Sequence, residues 1–148
     1  MLMNLVFGLS TMAVCLLFEA LLLAMALRYY SRHKALVDSP SLLSSLRVIS
    51  GVMTLVVIAN ITQVAIWALL FQFLREFPEF HLAFYHSAVN FATLGYGDIV
   101  MSEKHKLLGP LEAINGVLMI GVSTAALMAV FQDAMRKTLR ARGISELK

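Results

Sequence analysis

The chain has 148 residues, of which 59% are hydrophobic and only 14% are charged. Soluble domains average about 25% charged residues, so this composition, with a mean hydropathy of +0.80, favours a membrane protein. A net charge of +3 without basic residues interleaved with aromatic ones predicts no nucleic-acid partner. The single cysteine, Cys15, excludes an intrachain disulfide.

Three long apolar runs are predicted to cross a membrane as helices. They lie at about residues 3–27, 48–74 and 107–131, and each exceeds the roughly 20 residues that a helix needs to cross about 30 Å of hydrocarbon. No Lys or Arg precedes the first run, and the run is longer than the apolar region of a signal peptide. We therefore expect a retained transmembrane helix there.

The connection between the first two runs carries four basic residues against one acidic residue, Asp38. The sequence Asp38-Ser39-Pro40 precedes leucines spaced for one apolar face, which predicts a short interfacial helix that leads into the second run. We expect residues 1–46 to form an extra N-terminal transmembrane helix and a cytoplasmic interfacial connection.

Residues 134–148 are predicted to form a short basic tail. Because Lys and Arg collect on the cytoplasmic side of a membrane, this tail and the first connection are placed inside. The mixed-charge segment 75–106 and the N-terminus are placed outside, in a plasma membrane, and the compact plan suggests a prokaryotic inner membrane. Four tail residues are expected to contact anionic lipid headgroups: Arg136, Lys137, Arg140 and Arg142.

Residues 78–100 form a shorter segment, apolar in its first half and rich in glycine in its second. The segment is too short to span a membrane. It suits a helix that enters the membrane and returns through a loop, which requires protein or a water-filled pore around it. Pro78 followed by Glu79 suits the first turn of such a helix, which predicts a helix at 79–92.

At the end of this helix stands the run Ala92-Thr93-Leu94-Gly95-Tyr96-Gly97-Asp98. It resembles the signature of the potassium channel pore module, usually written T-V-G-Y-G-D. The resemblance implies an all-α membrane protein with three transmembrane helices, a re-entrant pore helix and a selectivity-filter loop, assembled as a homotetramer. It also implies a potassium-selective ion channel rather than an enzyme, without a cofactor. By resemblance the module covers residues 47–133, with outer helix 48–74, pore helix 79–92, filter 93–98 and inner helix 107–131.

In this module the filter is a row of backbone carbonyls that replaces the hydration shell of the ion. Alternating left- and right-handed backbone conformations turn neighbouring carbonyls towards one axis. Gly95 and Gly97 can take the left-handed ones without steric cost. Asp98 at the outer mouth would favour cations. The resemblance implies that K⁺ is bound at four residues: Thr93, Leu94, Gly95 and Tyr96.

Several positions depart from the usual pattern of the module. Leu94 stands where valine or isoleucine is usual, and Ala92 replaces a common threonine. The pair Tyr85-His86 occupies the place of two aromatic residues that brace the filter, and Val89 stands where some relatives have a glutamate. These differences concern the rigidity of the filter more than its carbonyl row.

The third run contains the candidates for gating. Gly121 matches the position where many inner helices of the family bend, although a glycine such as Gly116 or Gly121 also lets membrane helices pack closely. Ser123 and Thr124 are candidates for lining the cavity below the filter. Val130 and Phe131 are candidates for an apolar constriction that closes by dewetting.

Glu19 lies in the middle of the first run, where a carboxylate is costly unless it is neutralised or paired. Asn60 and Gln63 are possible partners. Either Glu19 is a protonation- or cation-linked site, or it is a protonated side chain hydrogen-bonded for packing. Near the outer mouth, histidines are candidates for pH sensing or are merely exposed to water: His81, His86 and His105.

Other functions remain open or fail on the residues. No run has the arginine spacing of a voltage sensor, no histidine pair lies inside the runs to hold haem, and no nucleophile stands with a base. A non-selective cation channel and a non-conducting regulatory membrane subunit are the remaining alternatives.

Overall fold

The computed structural model describes residues 1–33 and 42–141. Within these ranges the chain is all-α and contains no strand, which confirms the predicted fold class. The helices are α1 (Leu2–Arg32), α2 (Leu42–Phe73), α3 (Phe80–Phe91) and α4 (Leu108–Ala141). Three of them, α1, α2 and α4, are long and apolar enough to cross a membrane.

All four helices differ from the predicted bounds: α3 is shorter by one residue at each end, and α1 continues past Leu27 to Arg32. The leucines assigned to a separate interfacial helix belong to the first turns of α2, which begins at Leu42. Residues 34–41, on which the rest of that prediction falls, lie outside the described residues. Helix α4 continues past Phe131 to Ala141, because its polar end forms pairs at helical spacing, among them the ion pair of Lys137 with Asp133.

The chain divides into two compact units. The first contains Met1–Glu19 and Ala59–Gly121. Its core is built around Trp67 and Phe71, which lie one turn apart on α2 and are fully buried. The ring of Phe71 contacts those of Trp67, Phe77 and His86, at centroid distances of 5.9, 6.4 and 5.6 Å. This packing holds α3 against α2.

The second unit contains residues 20–58 and 122 onward. Its buried side chains come from the ends of α1 and α4 and the start of α2: Ala26, Tyr30, Val48, Val52, Val130 and Ala134. A Cβ on Gly51 would lie 2.6 Å from a ring carbon of Tyr29, so glycine at this position lets the ring pack directly on the α2 backbone.

Helix α2 ends in a Schellman motif. The Arg75 N–H donates to the Gln72 carbonyl (2.9 Å), and the Glu76 N–H donates to the Phe71 carbonyl (3.0 Å). Arg75 therefore occupies the left-handed position that glycine usually takes, with a φ of 59°.

Replacing Arg75 with glycine is expected to stabilise the protein. A left-handed conformation costs an L-residue about 1–2 kcal/mol, whereas glycine adds about 0.5–1 kcal/mol of entropic cost. We expect the Arg75→Gly variant to gain up to about 1 kcal/mol in free energy of unfolding, measured by denaturation in detergent. Arg75→Ala is the matched control and should gain nothing. Equal gains from both variants would assign the effect to the lost charge.

Candidate functional site

The predicted pore helix is α3, and its last turn sets the direction of the chain that follows. The Thr93 N–H donates to the Asn90 carbonyl (2.8 Å), and the Leu94 N–H donates to the Val89 carbonyl (2.9 Å). This is a second Schellman motif, with Thr93 in the left-handed position at a φ of 58°. A β-branched residue is rare there, and strain of about 1–3 kcal/mol is often found at functional sites.

The left-handed conformation recurs at every second residue of the 93–98 segment. Gly95 has a φ of 56° and Gly97 a φ of 73°, and neither Leu94 nor Tyr96 has a positive φ. The two glycines had been predicted to take this conformation, but Thr93 had not. Its position two residues before Gly95 is the signal that could have revealed it.

The side chains of the segment are open to their surroundings within the single chain. Leu94 is 54% exposed and Tyr96 is 66% exposed, and a Cβ on Gly95 or Gly97 would meet no atom within 4 Å. The segment thus presents its backbone and side chains to whatever lies beyond this chain.

Two side chains of α3 hold the residues at the end of the segment. The Tyr85 hydroxyl donates to Asp98 Oδ2 (2.7 Å), and this bond holds the pKa of the Asp98 carboxyl below its usual value. His86 Nδ1 contacts the Ile99 carbonyl (2.9 Å), and its Nε2 lies 2.8 Å from Asn90 Nδ2. A neutral ring that donates through Nδ1 and accepts through Nε2 satisfies both contacts.

The three histidines near the predicted outer mouth have separate partners. His86 is buried, and burial lowers the pKa of its imidazole. The exposed His81 lies 3.0 Å from Glu79. His105 is buried and contacts Glu76. The histidines therefore occupy three different environments rather than one common site.

Glu76 binds the connection between the 93–98 segment and α4 through Ser102 and His105, and we call this set of contacts the Glu76 clasp. Its carboxylate accepts hydrogen bonds from the Ser102 N–H and hydroxyl, each at 2.7 Å, and contacts His105 Nδ1. Burial raises the pKa of Glu76, but the bonds from Ser102 and His105 outweigh it and lower the pKa. The N-terminus of α1 joins this region where Asn4 Nδ2 donates to the Lys104 carbonyl (2.7 Å). These contacts of Glu76 were not predicted from the sequence.

A group of polar side chains is buried between the helices of the first unit. Gln63 Nε2 donates to Glu19 Oε2 (2.7 Å), a pairing that the sequence had suggested. Ser87, Glu112 and Asn115 are fully buried, and none of them was a sequence-predicted candidate.

The two glycines of α4 lie in different environments. A Cβ on Gly116 would stand 2.8 Å from the Phe91 carbonyl carbon, so Gly116 permits close packing against the end of α3. A Cβ on Gly121 would meet nothing within 4 Å. Packing within the chain therefore explains Gly116 and does not explain Gly121.

The candidates for a cavity wall and for a constriction are pairs of neighbouring residues on α4, and the two members of each pair point in different directions. Val130 is 4% exposed and belongs to the core of the second unit, whereas Phe131 is 41% exposed. Ser123 is buried at 2% exposure and Thr124 is exposed. Val130 and Ser123 thus face their own chain, which argues against their predicted places in a constriction and a cavity wall. A helix turns by about 100° per residue, so only one of two neighbours can face the pore.

The basic residues near the end of α4 are not equivalent. Lys137 pairs with Asp133 and lies over the Tyr30 ring at 5.3 Å from its centroid, whereas Arg136 is exposed. Arg142 lies outside the described residues. Lys137 therefore links α4 to α1 in the second unit and is less available to lipid than predicted.

Comparison with known protein families matches residues 52–133, more than half of the chain, to the model of a family described as "Ion channel". The match begins in α2 and ends in α4, so it includes α3 and the 93–98 segment. No curated protein and no solved structure matches the chain.

Proposed function

This chain belongs to the ion channel family, and we propose that it is one subunit of a potassium-selective channel, with residues 93–98 as the selectivity filter. In this proposal the carbonyls of Thr93, Leu94, Gly95 and Tyr96 bind K⁺. The observation that carries it is the left-handed backbone at every second residue from Thr93 to Gly97. Alternation of this kind is what a row of carbonyls needs in order to face one axis.

The proposed assembly is a homotetramer. One strand cannot surround an ion, whereas rings of carbonyls from four chains can replace its hydration shell. The exposure of Leu94 and Tyr96 in the single chain supports neighbours that cover them. In such an assembly α3 would point its C-terminal end, the negative end of its helix dipole, towards a cation.

The proposed topology has the N-terminus outside and the C-terminus in the cytoplasm. The basic residues Arg28 and Arg32 at the end of α1, and Arg136 and Arg140 at the end of α4, support it through the positive-inside rule. The α3 segment then enters from the outside. A prokaryotic plasma membrane is the proposed location, with anionic lipids near the basic end of α4.

Gating is proposed to involve α4. The open space around Gly121 supports a hinge there. Thr124 is the better cavity-lining candidate and Phe131 the better constriction, because both are exposed within the chain.

The experiment is a reversal-potential measurement on purified protein in planar bilayers, with K⁺ on one side and Na⁺ on the other. We expect reversal near the potassium equilibrium potential and loss of this selectivity in Gly95→Ala, because a left-handed alanine costs about 1–2 kcal/mol. Gly121→Ala is the glycine control: it alters the proposed hinge and so the size of the current, but it leaves residues 93–98 intact and should keep the wild-type reversal potential. Reversal near zero for the wild type would favour a non-selective cation channel.

A further inference from the structure

Three helices of the first unit meet at one buried hydroxyl. Ser87 Oγ of α3 lies 2.8 Å from the Val64 carbonyl oxygen of α2. The same oxygen makes a shorter contact with Glu112 Oε1 of α4. Ser87 and Glu112 are both 0% exposed, so these partners must satisfy one another.

The number of available protons determines which of Ser87, Val64 and Glu112 donates in each hydrogen bond. A serine hydroxyl carries one proton, and a backbone carbonyl can only accept. The Ser87 proton is needed by Val64, because two oxygens 2.8 Å apart repel each other without a hydrogen between them. The contact between Ser87 and Glu112 then requires a second proton, and only the carboxyl group of Glu112 can supply it.

The surroundings of Glu112 agree with a neutral acid. Its second oxygen, Oε2, is buried, and the donors beside the carboxyl group, Ser87 and Asn90, are neutral, so no positive charge offsets the cost of burying a carboxylate. No Lys, Arg or His forms an ion pair with Glu112 in the described part of the chain.

The groups that face this site from the neighbouring helices carry no positive charge. Cys15 of α1 lies within electrostatic reach of both Glu112 and Glu19, and the neutral side-chain amide of Asn90 on α3 lies within hydrogen-bonding reach of Glu112. The fully buried Asn115 of α4 contributes a neutral amide beside the Cys15 thiol.

We propose that Glu112 is a proton-binding site that positions α3. The neutral acid donates to Ser87 and Ser87 donates to Val64, so that one chain of hydrogen bonds links α4, α3 and α2. When Glu112 loses its proton at alkaline pH, one hydroxyl proton is left for two acceptors and one link breaks. The proposal does not depend on which ion the channel conducts.

The direct test is infrared spectroscopy of the full-length protein in liposomes near neutral pH, where a protonated carboxyl group gives a C=O band separate from that of carboxylates. We expect this band to lose intensity in Glu112→Gln. In Ser87→Ala it should shift to higher frequency, because the acid loses its acceptor. Ser87→Thr keeps the hydroxyl and should keep the band.

Glu19→Gln is the control for the other buried carboxyl group, and it should leave the Glu112 band in place. Raising the pH should remove the Glu112 band from the wild type and reduce its thermal midpoint. Glu112→Gln, whose amide can donate to Ser87 at any pH, should not show this alkaline decrease. A spectrum that Glu112→Gln does not change would overturn the proposal, as would an identical alkaline decrease in both proteins.

Discussion

Replacing Gly116 with alanine is expected to lower the free energy of unfolding by about 1–3 kcal/mol, because it overpacks a closed interior. Replacing Gly121 with alanine should act in the opposite direction. Alanine is favoured over glycine inside a helix by about 0.5–1 kcal/mol. The two substitutions have the same chemistry and lie on the same helix, so their difference isolates the local packing.

The cause is the nature of the atoms that the new methyl group would meet. At Gly116 they are backbone atoms of Phe91, with the carbonyl carbon at 2.8 Å and the Cα at 3.0 Å. Backbone at the end of a capped helix cannot move aside as a side-chain tip can. Phe91 directly precedes the cap that sets Thr93 in its left-handed conformation, so displacing it should also disturb the 93–98 segment.

Both variants can be compared by denaturation in detergent, followed through the fluorescence of Trp67, the single tryptophan. Ion flux into liposomes then reports the effect on the 93–98 segment, the proposed filter. We expect Gly116→Ala to lose stability and flux together. A stable and fully active Gly116→Ala protein would mean that α3 and α4 are not packed as closely as the structure indicates.

The three long helices could be predicted because hydropathy and length report membrane spans without knowledge of any tertiary contact. Their ends could not. The predicted end of α4 at Phe131 followed the loss of apolar residues, but the helix continues through Lys137 and Arg140 to Ala141. Helix ends depend on caps and local pairs rather than on hydropathy.

The left-handed backbone at Gly95 and Gly97 could be predicted because its signal is local: two glycines at a fixed spacing after a helix. The residues that hold it could not, because the partners lie far apart in the chain and carry no motif. Ser102 is 26 positions from Glu76, and Glu112 is 25 positions from Ser87. Similarly, the sequence does not tell whether Val130 or Phe131 faces away from the chain. That depends on how α4 is rotated about its own axis, which is set by its packing against α1 and α2.

Among the contacts that sequence analysis missed, the Glu76 clasp has the largest expected effect on stability. The carboxylate uses both oxygens to accept from the Ser102 N–H, the Ser102 hydroxyl and His105. The side chains of Glu76 and His105 are only 6% and 8% exposed. In Glu76→Gln one oxygen becomes an NH₂ group, so the site loses its charge and one of the hydrogen bonds from Ser102 or His105 to a charged acceptor. This costs about 1–3 kcal/mol.

Glu103→Gln is the matched control for this substitution. Glu103 is in the same connection and pairs with Lys106, but its side chain is 88% exposed. An exposed ion pair contributes little, so we expect a change within about 0.5 kcal/mol. Equal losses from the two variants would show that negative charge in this connection, rather than the clasp, is what stabilises it.

The pH dependence gives the clasp a second, independent signature. The pKa of Glu76 is lower in the folded protein than its ordinary value, because the bonds from Ser102 and His105 outweigh the effect of burial. The stabilisation from Glu76 is therefore fully present above the ordinary carboxyl pKa, and it is lost as the pH falls through the lowered one. The stability difference between the wild type and Glu76→Gln should be largest near neutral pH and should shrink in acid. A difference that stayed constant into acid would mean that the charge of Glu76 does not stabilise the clasp and that shape alone accounts for its contribution.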